Sequence, residues 1–163
     1  MFRMSKAFTL IELLVVMAIM SILTIISVSQ FQVAKKKARD TQRRSDLSAV
    51  SKAIEMFYAD YGEFPSNNPS TGVPSFNING MWGGSFQDGS YVYMKVMPVE
   101  SSLTAYPYCY KVSGDNKSFG LFTKLESSGD SECEGNNYSC GGVDDYCYAI
   151  VSPNTTAEEM SDL

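Results

Sequence analysis

A chain of 163 residues with 44% apolar residues, 13 Lys plus Arg against 18 Asp plus Glu, no His and 4 Cys holds one small domain's worth of material. The lack of histidine excludes His-based triads, His-ligated zinc and imidazole acid/base catalysis, and a net charge of −5 argues against a nucleic-acid binder held by its whole surface. The charge is uneven: residues 1–44 carry eight basic groups and two acidic ones, Glu12 and Asp40, whereas from Ser45 onward five basic groups stand against 16 acidic ones, a balance of −11. Such a chain reads as a membrane-directed front end and an acidic, water-exposed back end.

Met1 to Ala7 carries Arg3 and Lys6, and the apolar run that starts at Phe8 meets no basic residue until Lys35. Only Glu12 is charged in that run. As a helix it would extend roughly 40 Å at about 1.5 Å per residue, enough to cross the roughly 30 Å of bilayer hydrocarbon. An ordinary secretory signal would use Arg3 and Lys6 as its positive region and Ser27-Val28-Ser29 as its cleavage site. Its core would be shorter, however, and neither a discarded signal nor a plain anchor has a use for Glu12. A carboxylate in hydrocarbon costs several kcal/mol, so it implies a compensating partner, here expected to be a positive charge.

The run Lys6-Ala7-Phe8-Thr9-Leu10-Ile11-Glu12-Leu13-Leu14-Val15-Val16 resembles the processing site and N-terminal helix of type IV pilins and type II secretion pseudopilins. The resemblance implies that a prepilin peptidase cuts between Ala7 and Phe8 and methylates the new amino group of Phe8, and that Glu12 serves assembly. Ala7 stands where that family usually has Gly. Lys35, Lys36, Lys37, Arg39, Arg43 and Arg44 outnumber Arg3 and Lys6, so a bare charge count puts the far end of the span in the cytoplasm. The resemblance implies the opposite orientation, and four cysteines in the following domain agree with it, since they suit an oxidising exterior.

Nothing between Phe8 and Tyr61 breaks a helix, for that stretch has no Pro and no Gly. Leu47, Val50, Ile54, Phe57, Tyr58 and Tyr61 draw one apolar stripe along it. The expected layout is a leader over 1–7, a transmembrane assembly helix over 8–34, its amphipathic continuation over 35–61 and a globular domain over 62–163. The six cations from Lys35 to Arg44 form a basic collar, read as a solvated segment meeting membrane lipid phosphates or a neighbouring subunit. DNA is the weaker candidate for the same charges, because the acidic remainder of the chain would repel it.

Gly62 and Pro65 end the helix, and the segment from Tyr58 to Pro65 extends the resemblance to residue 65. Ser66 to Gly89, rich in Asn, Ser, Gly and Pro, reads as a long ordered loop. Strands are expected over 91–96, 106–112, 119–125 and 146–151, with a hairpin loop at Ser113-Gly114-Asp115-Asn116-Lys117. Tyr106, Tyr108 and Tyr110 share one strand face, as core packing or an adhesive surface, and Cys109 takes the other. Three or four antiparallel strands against the helix stripe give an α+β domain, the pilin fold that the resemblance implies.

Asp130, Glu132, Glu134, Asn136, Asn137, Asp144 and Asp145 offer oxygen ligands for calcium, as in major pseudopilins, but without EF-hand spacing, so no cofactor is expected. Cys109, Cys133, Cys140 and Cys147 permit three disulfide pairings, and the absence of a Cys-x-x-Cys pair disfavours zinc. The likeness of Tyr108-Cys109-Tyr110 to Tyr146-Cys147-Tyr148 suggests neighbouring strands, hence Cys109 with Cys147 and Cys133 with Cys140. No catalytic constellation is present, so an enzyme is not expected. The function implied is a prepilin that assembles into a homo-oligomeric helical surface filament through a prepilin peptidase and an inner-membrane assembly platform. The alternatives are a periplasmic pseudopilin of a type II secretion or DNA-uptake machine, and a membrane-anchored extracellular binding domain, which leaves Glu12 unexplained.

Overall fold

The computed structural model describes residues 8–66, 78, 82–89, 91–99, 108–127, 133 and 135–163. The leader with Arg3, Lys6 and Ala7, the Tyr106 end of the second expected strand, and the candidate calcium ligands Asp130, Glu132 and Glu134 lie outside these residues. With no Pro or Gly to interrupt it, helix α1 runs over Leu10–Tyr61, 52 residues. It stops at Gly62, which takes a left-handed φ of +71° while its amide bonds the Tyr58 carbonyl at 2.7 Å. Lys117 Nζ then donates to the Gly62 carbonyl at 2.8 Å, placing a cation at the negative end of the helix.

The chain divides into a compact unit ending at Ala38 and another from Arg39 to Leu163. The second half of α1 belongs to the latter unit and supplies one wall of its core. Leu47, Val50, Ile54 and Phe57 are fully buried, as the periodicity requires. Tyr58 and Tyr61, expected on the same stripe, are 38% and 40% exposed. Tyr58 is rotated off the stripe onto Phe64, and Tyr61, at the helix end, stacks on Phe57 at 4.4 Å and turns its hydroxyl outward to Asp88.

Opposite α1 stands a three-stranded antiparallel sheet in the order β3 (Cys109–Val112), β4 (Phe119–Thr123), β7 (Tyr148–Val151). Its register aligns Tyr110, Leu121 and Ile150 across one face and Cys109, Phe122 and Ala149 across the other. The first face packs on α1; Tyr108, Tyr110, Phe119 and Leu121 join the helix residues in one cluster, so the tyrosine ladder is core as far as it is described. The second face is covered too, by β5 (Tyr138–Cys140) paired with β6 (Val143–Tyr146) and by a short helix α2 (Ala157–Ser161). This explains why every residue of β4 is buried.

A Cβ on Gly120 would stand 2.8 Å from the Phe122 ring and 3.1 Å from Met160 Cβ of α2, so the close approach of α2 depends on this glycine. A separate hairpin of β1 (Phe86–Gln87) and β2 (Val92–Met94) closes the Phe57 end of the core. The architecture is α+β as expected, but among the described residues the strands fall into three small sheets rather than one. Strand β1 falls inside the segment read as loop, and the expected strand over 146–151 is split, Tyr146 ending β6 and Tyr148 starting β7.

The cysteines are all in disulfides, but not in the expected pairs: Cys109 bonds Cys140 and Cys133 bonds Cys147. The inference from the two Tyr-Cys-Tyr triplets fails because β4 lies between β3 and β7, so the triplets are not on neighbouring strands. Cys109 instead faces the second layer, where β5 presents Cys140.

Candidate functional site

The first half of α1 is apolar, and its large side chains are exposed among the described residues. Leu10, Ile11, Leu13, Leu14, Met17, Met20 and Leu23 are each about 60% exposed or more, a state that the hydrophobic effect opposes in water. This stretch is long and apolar enough to cross a membrane, and none of it is buried within the chain. Ser21, Thr24 and Ser27 return their hydroxyls to the carbonyls of Met17, Met20 and Leu23 at 2.7–2.8 Å, which satisfies their polar groups inside the helix.

Glu12 sits in the first turn, where the helix dipole favours a negative charge. Its Oε2 accepts from the Thr9 amide at 2.9 Å and from Thr9 Oγ1 at 2.8 Å, and its own amide donates back to Thr9 Oγ1 at 3.3 Å. This is a capping box, with Thr9 as the cap and Glu12 three residues on. Among the described residues the carboxylate is met by these neutral donors of Thr9. The Thr-x-x-Glu spacing was the available signal. Thr156 and Glu159 repeat it at α2, again as a complete capping box.

The expected basic collar separates into two groups. Lys35, Lys36 and Lys37 are exposed, with Lys35 Nζ 4.7 Å from the centre of the Phe31 ring. Arg43 is 1% exposed, so it is not a solvated cation. Its guanidinium bonds Asp40 Oδ1 at 2.6 Å and also contacts Glu126 Oε1. Arg39 grips the same Glu126, through Nε at 2.8 Å and through a second nitrogen on Oε2. Asp40 completes the network by accepting from the backbone amides of Glu126 and Ser127 at 2.8 and 2.9 Å. Arg44 lies over the Tyr148 ring at 5.1 Å.

Two arginines and two carboxylates thus tie α1 to the chain just after β4. Asp40 and Arg43 occupy the same stripe as Leu47, Val50, Ile54 and Phe57, at spacings of three, four, three, four and three. The stripe continues toward the N-terminus as an ion pair, which an apolar-only reading of the periodicity misses. The Arg39 hydrogen bond, opposed by partial burial and reinforced by Arg43, draws the Glu126 carboxyl down to about 2. Burial pushes the Asp40 carboxyl up, but Ser127, the Glu126 amide and the Arg43 charge outweigh it, and Asp40 ends below its ordinary value. A buried charge that loses its partner costs about 3–5 kcal/mol, so this cluster is structural rather than free to bind phosphate.

Of the oxygen ligands suggested for calcium, Asp145 is ion-paired with Lys124. Among the described residues no cluster of three or more metal-ligating side chains occurs.

The chain matches the family model for the prokaryotic N-terminal methylation motif over residues 2–28. A fimbrial protein of Neisseria meningitidis is 36% identical over 72 residues, 44% of this chain and 42% of that protein. The type IV wide pilus major component PilA4 of Thermus thermophilus is 40% identical over 65 residues, 40% of this chain and 50% of that protein. The type II secretion system core protein G of Pseudomonas aeruginosa is 28% identical over 130 residues, 74% of this chain and 83% of that protein. The chain spans about two-fifths of the length of the fimbrial relatives it matches. No solved structure matches it.

Proposed function

We propose that this chain, which matches the N-terminal methylation motif and is similar to type IV pilins and to a type II secretion core protein, is the structural subunit of a pilus-like filament. The observation that carries the reading is an exposed apolar half-helix whose one charge, Glu12, lies inside the matched methylation motif. In this reading the precursor waits in the cytoplasmic membrane with residues 8–34 in lipid. A prepilin peptidase hydrolyses the bond between Ala7 and Phe8, and the freed amine of Phe8 is methylated and stays protonatable.

On an assembly platform the half-helices then leave lipid and pack on one another, which keeps their apolar surface from water. The Phe8 ammonium of one subunit meets Glu12 of the next. The pair sets register more than bulk stability, because removing both charges from solvent offsets much of their attraction. Glu12 exchanges part of its capping contact with Thr9 for that ammonium. The reading assigns this chain no catalytic step.

A second reading, a periplasmic pseudopilin, is favoured by the match that covers most of core protein G. Deletion of the gene separates the two. Loss of surface filaments, with the chain recovered in the sheared extracellular fraction, supports the pilus; intact filaments with failed protein export support the pseudopilin. A deletion strain with filaments and export both normal contradicts the proposal.

A further inference from the structure

The end of α1 and the adjoining hairpin form a face whose charge is set against its surroundings. Asp60 lies in the last turn of α1, which has no basic residue, so it adds to the negative end of the helix dipole that Lys117 offsets only at Gly62. Tyr93, 6% exposed, directs its one hydroxyl at both Asp60 Oδ2 (3.0 Å) and Asp88 Oδ2 (3.1 Å), so the two carboxylates share a single phenolic hydrogen. The Tyr61 hydroxyl and the Tyr91 amide each reach Asp88 at 2.6 Å. Around these acids the aromatic and aliphatic surface stays open: Tyr61 is 40%, Tyr91 54% and Val92 46% exposed. A face of this kind suits an ammonium group carried beside an apolar surface.

A second copy of the chain offers one. Residues 39–163 hold eight basic and 17 acidic groups, a balance of −9, so globular units crowded in a filament repel one another unless cations intervene. The exposed cluster of cations among the described residues is Lys35–Lys37, and Lys35 stacks on Phe31, itself 58% exposed. Phe31 and Lys35, one turn apart on the same helix face, present an ammonium carried beside an apolar ring.

Resting on the filament reading above, we infer that the Phe31–Lys35 strip of one copy docks on the Asp60–Asp88 face of a second copy, ring against Tyr91 and Val92 and ammonium against Asp60.

The test is a charge exchange in cells that assemble the wild-type chain. Lys35→Glu and Asp60→Lys should each lower sheared filament several-fold, with processed subunit in the membrane unchanged, and the double exchange should recover most of the yield. Asp60→Asn, which keeps an acceptor for Tyr93 without the charge, should assemble poorly while its globular unit melts like the wild type. A photo-crosslinking residue at Phe31, in cells mixing ¹⁴N and ¹⁵N chains, should join a peptide containing Tyr91 across isotopes. Full yield from the single exchanges, no recovery in the double, or crosslinks to lipid alone in assembled filaments overturns the inference. A wild-type chain that is processed yet forms no filament defeats the underlying reading instead, and the docking with it.

Discussion

The two halves of α1 are one uninterrupted helix by sequence and backbone, yet they are stabilised by different means. From Arg39 onward one face is buried against a sheet, down to an Asp40–Arg43 pair in phase with the apolar stripe. Before it, large apolar side chains are exposed among the described residues. Helix propensity and capping are satisfied in both halves; burial is satisfied in one. In the filament reading proposed above, lipid covers the first half before assembly and other copies cover it afterwards, whereas the second half packs on its own sheet.

Glu12→Val breaks that contrast most severely. Membrane insertion and processing should persist, insertion even becoming easier, while filament yield collapses. Quantifying membrane precursor, processed subunit and sheared filament checks this, and loss of processing together with assembly would assign Glu12 to the peptidase instead. In the second half, Arg43→Met leaves Asp40 buried without its cation and should destabilise the globular unit by about 3–5 kcal/mol in denaturant titration of the full chain in detergent, with membrane insertion unaffected.

Replacing Cys109 and Cys140 together by Ser should cost about 2–4 kcal/mol, again in the globular unit alone. Non-reducing peptide mapping checks the pairing directly, since a Cys109–Cys147 peptide would contradict the structure. The smallest effect is the pH dependence. Glu126 and Asp40 have folded pKa values below their ordinary 4.5 and 3.8, so their stabilisation is present above those values and is lost as pH falls toward the Glu126 value of about 2. Thermal melts from pH 7 to 2 should show that acid-side loss, reduced in Glu126→Gln.

Much of this contrast was legible in the chain. The absence of Pro and Gly up to Tyr61, the stripe from Leu47 to Phe57 and the stop at Gly62 depend on local geometry, and all three appear in the structure. The motif around Glu12 was legible as well, because its spacing is contained in a few residues. What escaped depends on contacts between distant segments. Arg39 and Arg43 look like solvent-facing charges until Glu126, more than 80 residues away, is brought to them. The disulfide pairs follow from β4 standing between β3 and β7, an order that no single strand encodes. Likewise the second layer over Phe122 is signalled locally only by Gly120, whose missing side chain makes room for Met160.

The central claim is that the chain acts as a processed subunit whose first half-helix is buried by other copies. Intact-mass measurement of the protein taken from sheared filaments tests it most directly. The account predicts one species that begins at Phe8, carries a single methyl group on its terminal amine and retains both disulfides. A filament fraction without the chain, or a native protein that begins at Gln30 or keeps Met1 to Ala7 in cells possessing the peptidase, would contradict it.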